Sequence, residues 1–154
     1  MDMPKPTADH KKLEKLAGIW KGKETMYPSP WDPKGRTDEA VWRMRVAVAG
    51  FHVVTDYERT NNGKKYFEGH GIYSFDPATE QVVLDWFDSV GTGREEFRGT
   101  WTGDVMTLSS KTPQCDGRLT YDFSKAGVMG ARMETSTDGK TWSKMFDAQY
   151  QRAD

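Results

Sequence analysis

The regular spacing of turn signals after residue 18 constrains the fold of this chain more than any other feature. Runs of strand-forming residues alternate with short segments rich in glycine, aspartate, asparagine and proline. The pairs Asn62-Gly63 and Asp138-Gly139 suit the tight turns of β-hairpins. This spacing of turns predicts about ten strands, at 19–26, 39–48, 52–60, 65–75, 82–89, 94–101, 105–110, 119–123, 128–137 and 141–152.

Nearly all of the predicted connections are short, so consecutive strands should be antiparallel neighbours in an up-and-down meander. A meander of this length hides its two edge strands by closing on itself. Closure of about eight to ten strands leaves an interior wide enough for side chains or for one small ligand. The sequence therefore predicts an all-β fold, an antiparallel up-and-down β-barrel, and directs the search for function to its interior.

One short helix is expected before the first strand. Residues 9–17 are helix formers with apolar side chains at Leu13, Leu16 and Ala17, and Thr7 or Asp9 could cap the start. A chain of 154 residues is long enough for one full-sized core. We expect a single domain over residues 1–154, with residues 1–8 flexible.

Composition excludes several classes of function. Lys and Arg number 22 against 23 Asp and Glu, so the net charge of -1 gives no general attraction for nucleic acid or an anionic membrane. No apolar run approaches the ~20 residues of a spanning helix, and no secretory leader is evident. The single Cys115 excludes an internal disulfide and a cysteine-based zinc site. These features predict a cytoplasmic protein.

Aromatic rings carry much of the apolar mass, with six Trp, six Tyr and seven Phe in a chain that is only 36% hydrophobic. In strand 39–48, one face is apolar and should point inward, and Arg43 lies on the other face. The apolar face consists of Ala40, Trp42, Met44, Val46 and Val48. Strand 65–75 is ambiguous, since rings occur on both of its faces. Whether His70 points inward is therefore left open.

Four segments resemble a known family: LAGIWKGKE near the start, GHGIYSFDPATEQVVLDWFDS in the middle, FRGTWTGDVMTL after it and YQR near the end. They are similar to the bacterial domain of unknown function 1579 family over nearly the whole chain. That family is similar in turn to the calycin barrels: lipocalins, fatty-acid-binding proteins and nitrobindin-like haem barrels. The resemblance implies a calycin/lipocalin-like barrel that holds a ligand, with no established activity to transfer.

The same resemblance assigns a structural role to three residues. In calycins, a Gly-x-Trp on the first strand packs beneath an arginine from the last strand. The corresponding residues in this chain are Gly18, Trp20 and Arg152. We expect Trp20 and Arg152 to be in contact where the first and last strands meet, as a cation–π pair.

The leading functional hypothesis is a binding module for a small, mostly apolar molecule held between aromatic walls. His70 or Arg43 would fix its orientation, and Trp31, in a proline-rich loop, would cap the barrel mouth. Aromatic residues are also the usual filling of a small barrel, so the same rings could be core. The candidate ligand-binding residues are His70, Trp42, Arg43, Trp86, Asp88 and Trp31.

No metal, haem or other cofactor is expected. Nitrobindin-like barrels hold haem iron through a histidine on a late strand, and Met145 occupies the corresponding position before Arg152. No catalytic residue is assigned, since the common nucleophile, phosphate-loop and metalloprotease motifs are missing.

Two alternatives to the binding module stay open. The first is an enzyme that acts on a small molecule in the same cavity, using His70 with Asp85 or Asp88 as an acid/base pair. The second is a structural role in which the barrel is packed solid and a homo-oligomer carries the function.

Overall fold

Each strand pairs with its neighbour in sequence, and the first strand also pairs with the last, in a computed structural model that describes residues 1–154. The strands form one closed antiparallel barrel, which confirms the predicted fold class. The strands are β1 (Gly18–Met26), β2 (Arg36–Ala47), β3 (His52–Asn61), β4 (Lys64–Asp76), β5 (Gln81–Asp88), β6 (Glu95–Thr102), β7 (Val105–Lys111), β8 (Asp116–Asp122), β9 (Val128–Ser136) and β10 (Ser143–Arg152).

The N-terminal helical segment has two parts, α1 (Ala8–Lys12) and a 3-10 turn (Leu13–Leu16). A 3-10 turn has about three residues per turn, which places Leu13 and Leu16 on one side, and both are buried. A second 3-10 turn (Val48–Gly50) connects β2 to β3. The helical segments are too short and too polar for any of them to cross a membrane.

The closure between β1 and β10 brings Trp20 and Arg152 together as register partners. The guanidinium carbon of Arg152 lies 4.8 Å from the centre of the Trp20 ring, and its Nη2 donates to the Ala17 carbonyl at 2.8 Å. Gly18 adopts φ +141°, and a β-carbon there would lie 3.3 Å from Cζ of Arg152. The expected contact is thus present, and it seals the barrel end nearest the helix.

The opposite end of the barrel, called the mouth below, is formed by the loops 27–35, 62–63, 89–94, 112–115 and 137–142. Side chains fill the half of the interior that lies nearer the helix. The largest fully buried residues there are Tyr73, Tyr121, Leu84, Met106, Leu108 and Met129. That half of the barrel is a packed core and leaves the mouth half as the place for a site.

The predicted inward face of β2 is correct for Ala40, Trp42 and Met44, which are all buried. Val46 and Val48 were expected on the same face but are 39% and 65% exposed. They lie where β2 ends and gives way to the 3-10 turn, so the barrel wall no longer covers them.

Candidate functional site

A buried carboxylate lies inside the barrel toward the mouth. Glu24 of β1 is completely buried and accepts hydrogen bonds from three donors. They are the hydroxyl of Tyr57, the hydroxyl of Tyr150 at 2.7 Å and Nε of Arg59 at 2.9 Å. Because a buried carboxylate is costly unless paired and hydrogen-bonded, these donors make the charge tolerable there.

The protonation states in this cluster follow from burial and from the charge of Glu24. Burial, followed by the negative charge of Glu24, raises the pKa of Tyr57 and of Tyr150. Burial alone would lower the pKa of Arg59, but Glu24 and Tyr57 more than offset it and the pKa is raised. The hydroxyls therefore remain donors, and Arg59 remains a cation.

Aromatic rings surround the guanidinium of Arg59. Its central carbon lies 5.5 Å from the ring centre of Tyr57, 5.0 Å from that of Phe67 and 5.1 Å from that of Phe146. Nε donates to Glu24 and to the Tyr57 hydroxyl, while neither terminal nitrogen has a protein acceptor. The side chain is 11% exposed, so the unused donors lie at the boundary between core and mouth.

A second buried carboxylate, Asp38, is the register partner of Glu24 on β2. It accepts from Nε of Arg36 at 3.0 Å, from Nδ2 of Asn61 at 2.7 Å and from the Tyr66 hydroxyl. Burial alone would raise the pKa of Asp38, but these hydrogen bonds outweigh it and the pKa is lowered. This second cluster forms one side of the rim of the mouth.

Half-buried apolar side chains line the inner wall at both ends of the barrel. At the helix end, Phe75 and Trp101 lie beside His10 and Lys12 of the helix. At the mouth, the half-buried side chains that pack against the core are Phe67, Trp86, Leu119 and Met133. Since they point inward, their exposed area opens into the mouth. The mouth therefore combines accessible rings with a deeper, polar floor at Glu24 and Arg59.

Two further carboxylates, one on β5 and one on β6, lie on the inner face at the mouth. Asp88 accepts from Nε1 of Trp86 at 2.8 Å and from the backbone N–H of Val90 at 3.0 Å, and Glu95 accepts from the Ser110 hydroxyl at 2.9 Å. Neither has a cationic partner.

Three of the candidate residues predicted from sequence lie on the inner wall. Trp42 is 4% exposed and packs on Tyr57 with ring centres 4.2 Å apart, and its Nε1 has no hydrogen-bond partner. Trp86 and Asp88 lie at the mouth and are hydrogen-bonded to each other.

The other three candidates do not face the interior. His70 pairs with Asp56 at 2.7 Å and Arg43 with Glu58 at 3.4 Å, both on the outer wall. Residues alternate along a strand, and the inward residues of β4 and β2 next to them are Gly69, Gly71, Trp42 and Met44. Trp31 is 89% exposed, so its ring stands in solvent and does not cover the mouth.

The acid/base pair considered for an enzyme is not formed in this structure. The carboxylate partner of His70 is Asp56 on β3. Asp85 accepts from Arg94 at 2.6 Å, and Asp88 is held by Trp86.

The remaining histidines are also outside the barrel interior. His10 packs its ring against Phe51 and Phe75, with centres 5.0 and 5.5 Å apart, and His52 bonds the Ser74 hydroxyl at 2.9 Å. Met145 is 44% exposed at an irregularity of β10.

Sequence reasoning missed the polar floor of the mouth. Glu24, Tyr57, Arg59 and Tyr150 were not among the candidates, although a signal for Glu24 existed. Once Trp20 is placed in the core, a count in steps of two along β1 puts Glu24 on the same inner face.

Comparisons with known proteins agree with this architecture. A family model described as "Protein of unknown function (DUF1579)" matches residues 5–152. No curated protein sequence matches the chain.

Two solved structures share the fold. The crystal structure of Rv2717c from M. tuberculosis superposes with a TM-score of 0.74 and 15% identity, covering 96% of this chain and 99% of that one. The S-type phycobiliprotein lyase CPES from Guillardia theta superposes with a TM-score of 0.60 and 9% identity, covering 97% of this chain and 98% of that one. At these identities the likeness establishes the barrel fold alone.

Proposed function

This chain belongs to the DUF1579 family, and we propose that it binds a small, mostly apolar molecule in the mouth half of its barrel. The observation that carries the proposal is the difference in cover between the two ends. At the helix end the helical segment buries Leu13 and Leu16 and places His10 against the half-buried ring of Phe75. At the mouth only loops border the inward-facing, half-buried Phe67 and Trp86.

The chemistry of the mouth supports a ligand of this kind. Small-molecule sites are mostly apolar, with a few polar groups that fix orientation. Phe67, Trp86 and Phe146 supply apolar surface, and Arg59 supplies unused hydrogen-bond donors beneath it. A phycobiliprotein lyase among the structural neighbours is compatible with a barrel that handles a small molecule. We place the protein in the bacterial cytoplasm, where its single unpaired cysteine would stay reduced.

The test uses N-phenyl-1-naphthylamine, a neutral apolar dye whose fluorescence rises when it leaves water. The wild-type protein is expected to bind it. Phe67→Ala removes a ring from the inner wall of the mouth and should weaken binding about tenfold, the order expected from the loss of a partly buried aromatic surface. Phe87→Ala removes the same ring from the outer wall of β5, where Phe87 is 43% exposed, and should leave binding unchanged.

Equal dye affinity of the two variants, or no dye binding by the wild type, would show that the mouth is not the binding site. Thermal unfolding of each variant checks that the barrel stays folded. Native mass spectrometry of protein purified from its own host should in addition reveal a retained small molecule.

A further inference from the structure

Building on the proposed function, we infer that the ligand is anchored by an uncharged carbonyl oxygen, which accepts hydrogen bonds from the terminal nitrogens of Arg59. This contact defines the chemical class of the ligand. It distinguishes a neutral ketone- or amide-bearing molecule from a carboxylic acid and from a pure hydrocarbon.

Arg59 has unused hydrogen-bonding capacity. A guanidinium group donates and never accepts, so whatever meets its terminal nitrogens must be an acceptor. Glu24 and the Tyr57 hydroxyl engage only Nε. The two terminal nitrogens have no protein partner, and neither is sealed from solvent. Both are therefore accessible from the mouth.

These donors lie in a poorly solvated, aromatic environment. The rings of Tyr57, Phe67 and Phe146 cover the guanidinium and leave the side chain 11% exposed. A hydrogen bond made in such a poorly solvated place is stronger than one in water, and a donor left without an acceptor there is costly. A ligand that supplies an oxygen atom at this point therefore gains affinity.

The balance of charge around Arg59 favours a neutral acceptor over a carboxylate. Glu24 already neutralises Arg59, and Arg36 in the same way pairs with Asp38. Asp88 and Glu95 add two negative charges that only uncharged donors satisfy. A ligand carboxylate would add a further negative charge next to these inward-facing groups, whose charges already sum to a negative value.

The experiment compares three probes built on one naphthalene core. They are the ketone 6-propionyl-2-(dimethylamino)naphthalene, its 6-propyl analogue without oxygen, and 6-(dimethylamino)-2-naphthoate, which is ionised at about pH 7. Each probe displaces N-phenyl-1-naphthylamine from the wild-type protein. The ketone should bind about tenfold more tightly than the propyl analogue and also more tightly than the carboxylate. The emission of the bound ketone should be shifted to the red of its emission in an apolar solvent, because its carbonyl accepts hydrogen bonds.

The Arg59→Lys variant separates positioning from charge. The lysine ammonium keeps a positive charge for Glu24 but lacks the second and third nitrogens of the guanidinium. In this variant the tenfold advantage of the ketone over the propyl analogue should disappear.

Equal binding of ketone and propyl probes by the wild type, or tightest binding of the carboxylate, would overturn the inference. Either result would leave the proposed function standing as long as the dye binds. Failure of every probe and of the dye would overturn both. The wild-type comparison decides the question even if Arg59→Lys does not fold.

Discussion

The indole of Trp86 lies so close to the backbone of Gly69 that a β-carbon on residue 69 would stand 2.2 Å from Cζ2 of that ring. Gly71 makes room in the same way, since its β-carbon would lie 3.0 Å from Cε3 of the same ring. The two glycines of the Gly-His-Gly motif therefore let an indole lie against the inner wall. The histidine between them points outward to Asp56.

Replacing Gly69 with alanine should destabilise the protein by about 1–3 kcal/mol, because the Trp86 ring or the strand must shift to admit the methyl group. The free energy of unfolding in urea measures the effect. Gly130→Ala on β9 is the matched control, since a β-carbon there would meet its nearest atom at 3.4 Å, an ordinary contact. Similar losses in the two variants would mean that the indole contact is not what excludes a side chain at residue 69.

Replacing Glu24 with glutamine should cost about 3–5 kcal/mol of stability, because Arg59 would be left as a nearly buried cation without its counter-charge. Glu58→Gln is the control. Glu58 pairs with Arg43 on the outer wall with side chains 31% and 49% exposed, and its loss should cost less than about 1 kcal/mol. Urea unfolding of both variants gives the comparison, and near-equal losses would contradict the role assigned to the inner pair.

The buried carboxylate of Asp38 should make the free energy of unfolding depend on pH in the acidic range. Its pKa is lowered in the folded protein, below the ordinary value of 3.8, because the hydrogen bonds from Tyr66, Asn61 and Arg36 outweigh burial. A lowered folded-state pKa contributes stability above the unfolded-state pKa, and this contribution is lost as the pH falls through the folded-state pKa. The stability advantage of wild type over Asp38→Asn should therefore be large at about pH 7 and shrink below about pH 4. A difference that stays constant between these pH values would contradict this prediction.

Replacing Arg152 with methionine should lower stability by about 1–2 kcal/mol, through loss of the cation over Trp20 and of the hydrogen bond to the Ala17 carbonyl. Thermal unfolding measures the change. Gln151→Met alters the neighbouring exposed residue of β10 and should have little effect. If the two substitutions shift the melting temperature equally, the Trp20–Arg152 contact does not stabilise the closure.

The turn residues, and the alternation of side chains between the two faces of each strand, made the barrel predictable. Short turns force neighbouring strands to be antiparallel, and a long meander must close, so the number and order of strands follow from local signals. Individual bounds were less predictable. The strand expected at 119–123 begins at Asp116 instead, and Gly117 pairs with Ser110 and with Thr135 although Asp-Gly is a typical turn sequence. Pairing with two neighbours overrode the local turn preference there.

The inner face of each strand was predictable only where one face was clearly apolar. On β2 the contrast between Trp42 and Arg43 was sufficient, and the prediction was correct. On β4 both faces carry rings, so the orientation of His70 depended on how β4 pairs with β3 and β5. A shift of one residue in that pairing would exchange the two faces.

The sequence by itself determined that this chain forms about ten strands that close into a barrel, because the turn and strand signals are local. The resemblance to the calycins added the expectation that Trp20 and Arg152 meet at the junction, where they do lie in contact. Only the tertiary structure decided which half of the interior is packed and which side chains meet at the mouth. Glu24, Arg59 and Tyr150 come from strands far apart in sequence, and their contact depends on register and closure. No local pattern encodes such a meeting, since it exists only when all the strands are in place.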